Sequence, residues 1–308
     1  MATSTTATAL NPANAMTMAP VLTENRKQVV RIWQRVFGSM PIDLRKIGAT
    51  NNDVFAIRHR GEDFFLKLAT IGQQQLLDIE LRVIKFLHRN KLPAPEIVSS
   101  SIEPVERSWM VLRHAGFPVA SVIHKRPDLL RGAGSLLAVY HQADTFGLQK
   151  ALLSGAVDRR RSFRDRLNRL VTRAMQIAGT GLLEKSLISK VVRCLENYQP
   201  SGTPVLCHGE FSLPHVLAGK HGVTTAVDWP YCEPLPAAAD IALIEIFCRL
   251  RDLNFLDFLD GYGRSASSYF ADPDRIPMLM AHIVRQLVPG RRNFEACRNV
   301  LNEFADRI

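Results

Sequence analysis

The sequence predicts an α+β protein of two lobes, a small β-rich lobe followed by a larger, mostly helical one. Two patterns carry that expectation: short β-rich runs crowd residues 40 to 115, and apolar residues recur at helical spacing over most of the chain after Asp128. A length of 308 residues with 46% apolar content supplies a well-buried core for two such lobes.

The first 22 residues hold no charge and little large apolar surface, so they read as a flexible tail. Val29, Val30, Ile32, Trp33, Val36 and Phe37 then recur at helical spacing up to a stop at Gly38. Three β-rich runs follow, IDLRKIG, DVFAIRH and DFFLKLA, the last two joined by a turn at Gly61. A helix is expected from about Gln73 to Asn90, after which Pro93 and Pro95 break helicity and lead to two more strands, the second being SWMVLRH. Residues 23–115 thus form the predicted N-terminal lobe and 116–308 the helical C-terminal lobe. In the second lobe one β-rich insertion spans 203 to 229, and four helical stretches are expected from Ala237 to Ile308. The default site is the cleft between lobes.

The five cysteines form no C-x-x-C pair, which argues against a zinc site or a disulfide framework. A balance of 39 basic to 29 acidic residues gives a net charge of +10. Basic clusters such as DRRRSFRDRLNR at 158 to 169 mix both signs as solvated helix faces do, and no basic stripe is interleaved with aromatic residues, so nucleic acid is not expected as a partner. No apolar run is long enough to span a membrane and the start lacks a signal-peptide pattern, so a cytoplasmic location is the expectation.

Several residues suit chemistry. Alternation in DFFLKLA places Phe65, Lys67 and Ala69 on one strand face and Phe64, Leu66 and Leu68 on the other. Glu80 falls on the apolar stripe of the next helix, four residues after Leu76 and four before Ile84, so it needs a buried partner. Lys67 is the candidate, and a strand lysine paired with a helix glutamate is the device by which kinases hold ATP phosphates. Gly48 and Asn52, in the turn IGATNND, could lie over phosphates, while Arg113 and His114 close the strand WMVLRH where backbone groups could meet an adenine. In LCHGEFSLPHVLAGKHGVTTAVDW, an apolar strand runs into His208, Gly209 and Glu210, then past Pro214 to His215 and through a hairpin to Asp228. A metallohydrolase reading of His208, Glu210 and His215 is a lesser alternative, since the spacing is not that of an H-E-x-x-H motif and Pro214 opposes its helix.

HGEFSLPHVL, AVDW and ADIA, in that order, resemble the H-G-D-x-x-x-x-N loop, the I-D-W metal-binding segment and the D-L-A helix start of aminoglycoside phosphotransferases and their choline-kinase relatives. The resemblance covers about residues 40 to 265 and includes FFLKLA, the helix with Glu80, the WMVLRH hinge and the LLAVYH helix. It implies a protein-kinase-like fold that uses ATP and Mg2+. Lys67 would contact the α- and β-phosphates with Glu80 orienting it, Glu210 would stand at the catalytic-base position, His215 and Asp228 would bind magnesium, and Asp240 would be structural.

Two positions depart from the pattern. Glu210 replaces the family's aspartate and His215 its usual asparagine. At that position the chain resembles macrolide phosphotransferases, in which histidine also occurs, and a neutral ring nitrogen can ligate a metal, so this change is expected to be tolerated. The extra methylene of Glu210 moves its carboxylate by about 1 Å, a shift able to cost on the order of 100-fold in rate. The expected activity is transfer of the γ-phosphate of ATP to a hydroxyl of a small molecule. The alternatives are a pseudokinase that binds nucleotide or a partner without transfer, and a kinase of a peptide Ser or Thr hydroxyl.

Overall fold

A computed structural model of the chain describes residues 12–49, 52–102, 107–148, 163–288, 293–304 and 307. Its contacts divide it into two compact units, Met1–Gln73 with Ile97–His114 and Gln74–Glu96 with Ala115–Ile308. The helix that carries Glu80 therefore belongs to the second unit by its contacts, although the sequence reading drew a single boundary at residue 115.

The first unit is a five-stranded antiparallel sheet with one helix. Helix α1 runs Pro12–Phe37, and the strands are β1 (Asp43–Ala49), β2 (Asn52–His59), β3 (Glu62–Ala69), β4 (Ile97–Ser101) and β5 (Trp109–Arg113) in the order β1-β2-β3-β5-β4. Residues 1–11 of the expected tail lie outside the described residues, and from Pro12 onward the chain is helical rather than tail-like. Proline suits a first helical turn and Ala13, Ala15 and Met16 are strong helix formers. A turn added to a helix already anchored at Trp33 needs no new nucleus. The alternation in β3 is realised: Phe64, Leu66 and Leu68 are buried in one cluster with Val29, Ile32 and Trp33 of α1 and with Trp109 and Val111. Trp33 stacks on Phe37 at 4.1 Å and meets Phe64 edge-on at 5.4 Å.

The second unit opens with α2 (Gln74–Arg89) and continues through β6 (Phe117–Pro118), α3 (Asp128–His141), α4 (Phe163–Gly179) and α5 (Lys185–Asn197). The β-rich insertion holds β7 (Val205–Cys207), β8 (Val216–Gly219) and β9 (Gly222–Ala226), and β10 (Glu233–Leu235) extends it beyond 229 by pairing with β7. Three residues that include Pro234 offer no alternation from which that strand could be read. The C-terminal part has five described helices where four were expected: α6 (Ala238–Leu250), α7 (Phe255–Tyr262), α8 (Ala266–Phe270), α9 (Arg275–Gln286) and α10 (Phe294–Glu303). The additional one, α8, is a single capped turn in which Ser265 accepts the N–H of Ser268. A second core gathers apolar faces of α4, α5, α6, α9 and α10, among them Leu167, Val191, Ala242, Met278 and Leu301.

Candidate active site

The loop after β7 is fixed from beneath by one carboxylate. Asp240, fully buried in the first turn of α6, accepts the N–H of His208 at 2.6 Å through Oδ2 and that of Gly209 at 2.9 Å through Oδ1. His141 Nε2–H donates to the same Oδ2 at 3.4 Å, while its Nδ1 accepts the hydroxyl of Tyr262 at 2.8 Å. Burial pushes the Asp240 carboxyl upward, but the His141 hydrogen bond and charge, together with His208, hold it below its ordinary value of 3.8. Among the described residues His141, Cys207 and Asp240 form the one trio with metal-ligand chemistry. Burial and the neighbouring Asp240 keep the Cys207 thiol protonated, so the trio reads as a hydrogen-bonded brace.

The turn needs glycine at 209. Gly209 has φ +81°, and a Cβ there would stand 2.3 Å from the carbonyl oxygen of Tyr231. The backbone then reverses to present Glu210 and turns His208 inward. His208 Nε2–H donates to the carbonyl of Val227 at 2.9 Å and its Nδ1 accepts the N–H of Glu210 at 3.3 Å. Burial lowers the His208 pKa to about 4, so the ring is neutral and serves as a rivet between the loop and the segment that carries Asp228.

At the other end of the loop, His215 Nδ1–H donates to the Glu210 carbonyl at 3.0 Å, and Val227 N–H donates to the His215 carbonyl at 2.9 Å. That tautomer leaves the lone pair of His215 on Nε2, 3.7 Å from Asp228 Oδ2. Asp228 follows β9 with φ 72°, a left-handed conformation that costs a non-glycine residue about 1–2 kcal/mol. Strain of this kind persists where surrounding structure over-determines it, here Trp229, whose indole N–H donates to the Ala226 carbonyl at 2.9 Å. Tyr140 completes the support: its hydroxyl accepts the N–H of Ala226 at 3.1 Å and donates to the Pro93 carbonyl at 2.8 Å.

The second unit therefore brings Glu210, His215 and Asp228 together. Glu80 lies in the same unit, wholly buried on α2 beside Leu76, Ile84 and Leu87, as the helical stripe required. The other predicted residues lie in the first unit. Lys67 is 6% exposed on β3, opposite Val54 and Met110. Gly48 sits on β1 where the register with β2 shifts, and buried Asn52 opens β2 opposite Ala69. Arg113 pairs with Glu62, and His114 spends its backbone N–H on the Asp63 carbonyl at 2.9 Å.

Two features were missed by sequence reasoning. Arg285 of α9 forms an ion pair with Glu210 and lies over the ring of Tyr231 at 5.6 Å. Beside it opens a cavity of about 290 Å3 into which Arg166, Arg169 and Arg173 of α4 also project, bounded at the loop by Gly209 and Tyr231. The sequence predicts a solvated helix face for 158–169, and there Arg169 is exposed and Arg166 half-buried; Arg173 lies beyond that cluster, and residues 158–162 lie outside the described residues. A signal was present, because 166, 169 and 173 share one helical face. Burial, then Arg285 and Arg169, lower the Arg166 pKa to about 10, although Arg166 is paired with Glu233.

The model of a phosphotransferase enzyme family matches residues 43–278, and the chain belongs to that family. A search of curated protein sequences returns no match. Among solved structures, the GDP complex of wild-type aminoglycoside 2'-phosphotransferase-IIIa superposes with a TM-score of 0.65 at 14% identity, covering 92% of this chain and 99% of that one. A thermostable mutant of aminoglycoside phosphotransferase APH(4)-Ia in its apo form gives 0.64 at 14% identity, covering 90% of this chain and 98% of that one. The GDP and kanamycin complex of a further such enzyme gives 0.61 at 16% identity over 89% and 95% of the two chains. These likenesses show the fold, the α+β kinase-like fold of the family.

Proposed function

We propose that this chain transfers the γ-phosphate of ATP to a hydroxyl group of a small molecule with the aid of magnesium. The observation that carries the reading is the assembly of Glu210, His215 and Asp228 on one loop and hairpin, held by the Asp240 clamp and the His208 rivet. Family membership supports a phosphotransferase, and solved relatives carry GDP, AMP-PNP or ADP, some with hygromycin B or kanamycin.

In the proposed reaction the acceptor hydroxyl faces Glu210. A lone pair of the acceptor oxygen forms the new bond to the γ-phosphorus while the bond from that phosphorus to the bridging oxygen breaks, and the bond's electron pair leaves on ADP. The hydroxyl proton passes to the Glu210 carboxylate. His215 Nε2 and Asp228 Oδ2 would hold the cation; the carboxylate suits magnesium, a hard ion that keeps its remaining positions for water and phosphate, and the ring nitrogen is the softer of the two donors. When bound, the cation neutralises charge on the phosphates. Lys67 is assigned to the phosphates and Glu80 to orienting it by their place in the family pattern, as are Gly48, Asn52, Arg113 and His114 to the nucleotide.

Radiolabelled ATP with a broad panel of hydroxyl compounds tests the reading. Labelled product should form with the wild type and fall by roughly 100-fold or more in Glu210→Gln. Equal transfer in wild type and Asp228→Ala would sink it. The Glu210–Arg285 ion pair favours one second reading, a nucleotide-binding protein that does not transfer phosphate because its base is held by a cation. ATP-dependent thermal stabilisation without turnover, and no turnover gained in Glu210→Asp, would select that reading.

A further inference from the structure

The cavity that meets the loop at Gly209 and Tyr231 is cationic at its polar points and apolar between them, and Arg285 borders both it and the neighbouring space lined by Glu210 and His215. Four guanidinium groups, Arg166, Arg169, Arg173 and Arg285, line it, and among the described residues no aspartate or glutamate does. Two of the four are matched elsewhere, Arg166 by Glu233 and Arg285 by Glu210. Arg173 donates to the Leu287 carbonyl at 3.2 Å, and among the described residues neither it nor Arg169 has a carboxylate partner. Leu167, Leu170, Met278 and Ala281 supply the apolar walls.

One further group in the wall is unsatisfied. His282 is 9% exposed, and its Nε2–H donates to the Ala239 carbonyl at 2.6 Å. Its Nδ1 is therefore a buried acceptor, and it has no partner among the described residues. A ligand hydroxyl or amide N–H would satisfy it.

Guanidinium groups held this close repel one another unless an anion lies among them. Burial is the larger cause of the lowered pKa of Arg166 and of Arg285, and neighbouring charge adds to it, from Arg285 and Arg169 on Arg166 and from Arg173 on Arg285. A polycationic acceptor would add to the repulsion. A planar oxyanion would accept paired hydrogen bonds from the arginine forks. The carboxylates nearest the cavity, Glu233 and Glu210, are each matched by one of its arginines, while Asp260 pairs with Arg131 at 2.9 Å on α3 and Asp257 is in the first turn of α7.

We infer that this cavity receives the acceptor and that the acceptor is an amphipathic hydroxyl compound bearing an oxyanion, a carboxylate or a phosphate monoester, on an apolar body. The inference rests on the phosphotransferase reading for the word acceptor, and on the cavity alone for the charge. Cationic antibiotics of the kind bound by the solved relatives are the compounds this cavity rejects.

Calorimetry with matched probes tests it: 8-hydroxyoctanoate, the monophosphate of 1,8-octanediol, 8-hydroxyoctanamide and 8-aminooctan-1-ol. Either or both anions should bind at least about 10-fold more tightly than the amide, and the amine more weakly still. Raising the salt should erode the preference. Arg169→Gln with Arg173→Gln should remove most of it while amide affinity stays within about twofold, since Arg169 is exposed and Arg173 only half-buried. Equal binding of anion, amide and amine, or no binding of either anion, overturns the inference. Anion-selective binding without labelled product upholds it and sinks the transfer reading; transfer to the amine in preference to both anions does the reverse.

Discussion

Asp240 and His208 are joined by a 2.6 Å hydrogen bond from a backbone N–H to a wholly buried carboxylate, and Gly209 donates to the same side chain at 2.9 Å. The reactive loop is thus held by α6, an element outside the loop. Asp240→Ala would strand two buried N–H donors and remove the partner of His141. Its expected cost is about 3 kcal/mol or more, read as a lower urea midpoint at unchanged slope. Asp240→Asn keeps one acceptor oxygen and should fall between. A variant as stable as wild type would show that the clamp is dispensable.

A second buried charge gives a contrast with the surface. Glu245 accepts from Arg275 at 2.6 and 2.9 Å and from the Tyr269 hydroxyl at 2.9 Å, and all three side chains are buried. Arg275→Leu leaves Glu245 short of its main cation and should destabilise by about 3–5 kcal/mol. Arg131→Ala breaks an exposed pair with Asp260 and should cost less than about 1 kcal/mol. Comparable losses from both substitutions in urea unfolding would contradict this ranking.

Burial lowers the pKa of His282 below its ordinary value of 6.5, against the opposing effect of the Ala239 carbonyl. The sign follows from linkage. The unfolded chain takes up a proton near pH 6.5 that the folded chain refuses until a lower pH, so the stability contributed by neutral His282 is complete above pH 6.5. It is lost as pH falls through the lowered folded value. His282→Gln should flatten the slope of unfolding free energy against pH on the acid side of 6.5 while leaving the alkaline side parallel to wild type. His208, whose pKa is about 4, supplies a like slope that this substitution leaves in place. An unchanged acid slope in the variant would show that His282 binds its proton equally in both states.

These relationships differ in how far the sequence exposes them. The faces of β3 and the buried stripe of α2 follow from periodicities of 2 and 3.6, so Lys67 and Glu80 were legible as buried polar residues on apolar elements. Glu210, His215 and Asp228 were legible because one short stretch carries all three. Arg285 was not: it is separated from Glu210 by the whole of α6, α7 and α8, and nothing in RIPMLMAHIVRQ marks one arginine as the partner of a distant glutamate. The cavity between the arginines was hidden for a related reason. Spacing places Arg166, Arg169 and Arg173 on one face, but only the packing of α4 beside α9 turns that face toward an enclosed space. Asp228 gives no sign in sequence of its left-handed backbone, which the hairpin and Trp229 impose together.

That backbone separates two effects of replacing Asp228. Asp228→Ala and Asp228→Gly both remove the carboxylate opposite His215 Nε2, so both should abolish transfer and weaken manganese binding measured by spin-label-free electron paramagnetic resonance. They differ in strain. At φ 72° alanine meets the clash of its Cβ with the following carbonyl oxygen, whereas glycine has no Cβ to clash. The glycine variant should therefore be more stable than the alanine variant by about 1 kcal/mol, and its melting temperature higher by roughly 2 °C. If alanine proves the more stable of the two, residue 228 does not hold a left-handed conformation in solution. If glycine binds manganese as tightly as wild type does, the cation site lies elsewhere and the hairpin alone holds Asp228 in this geometry.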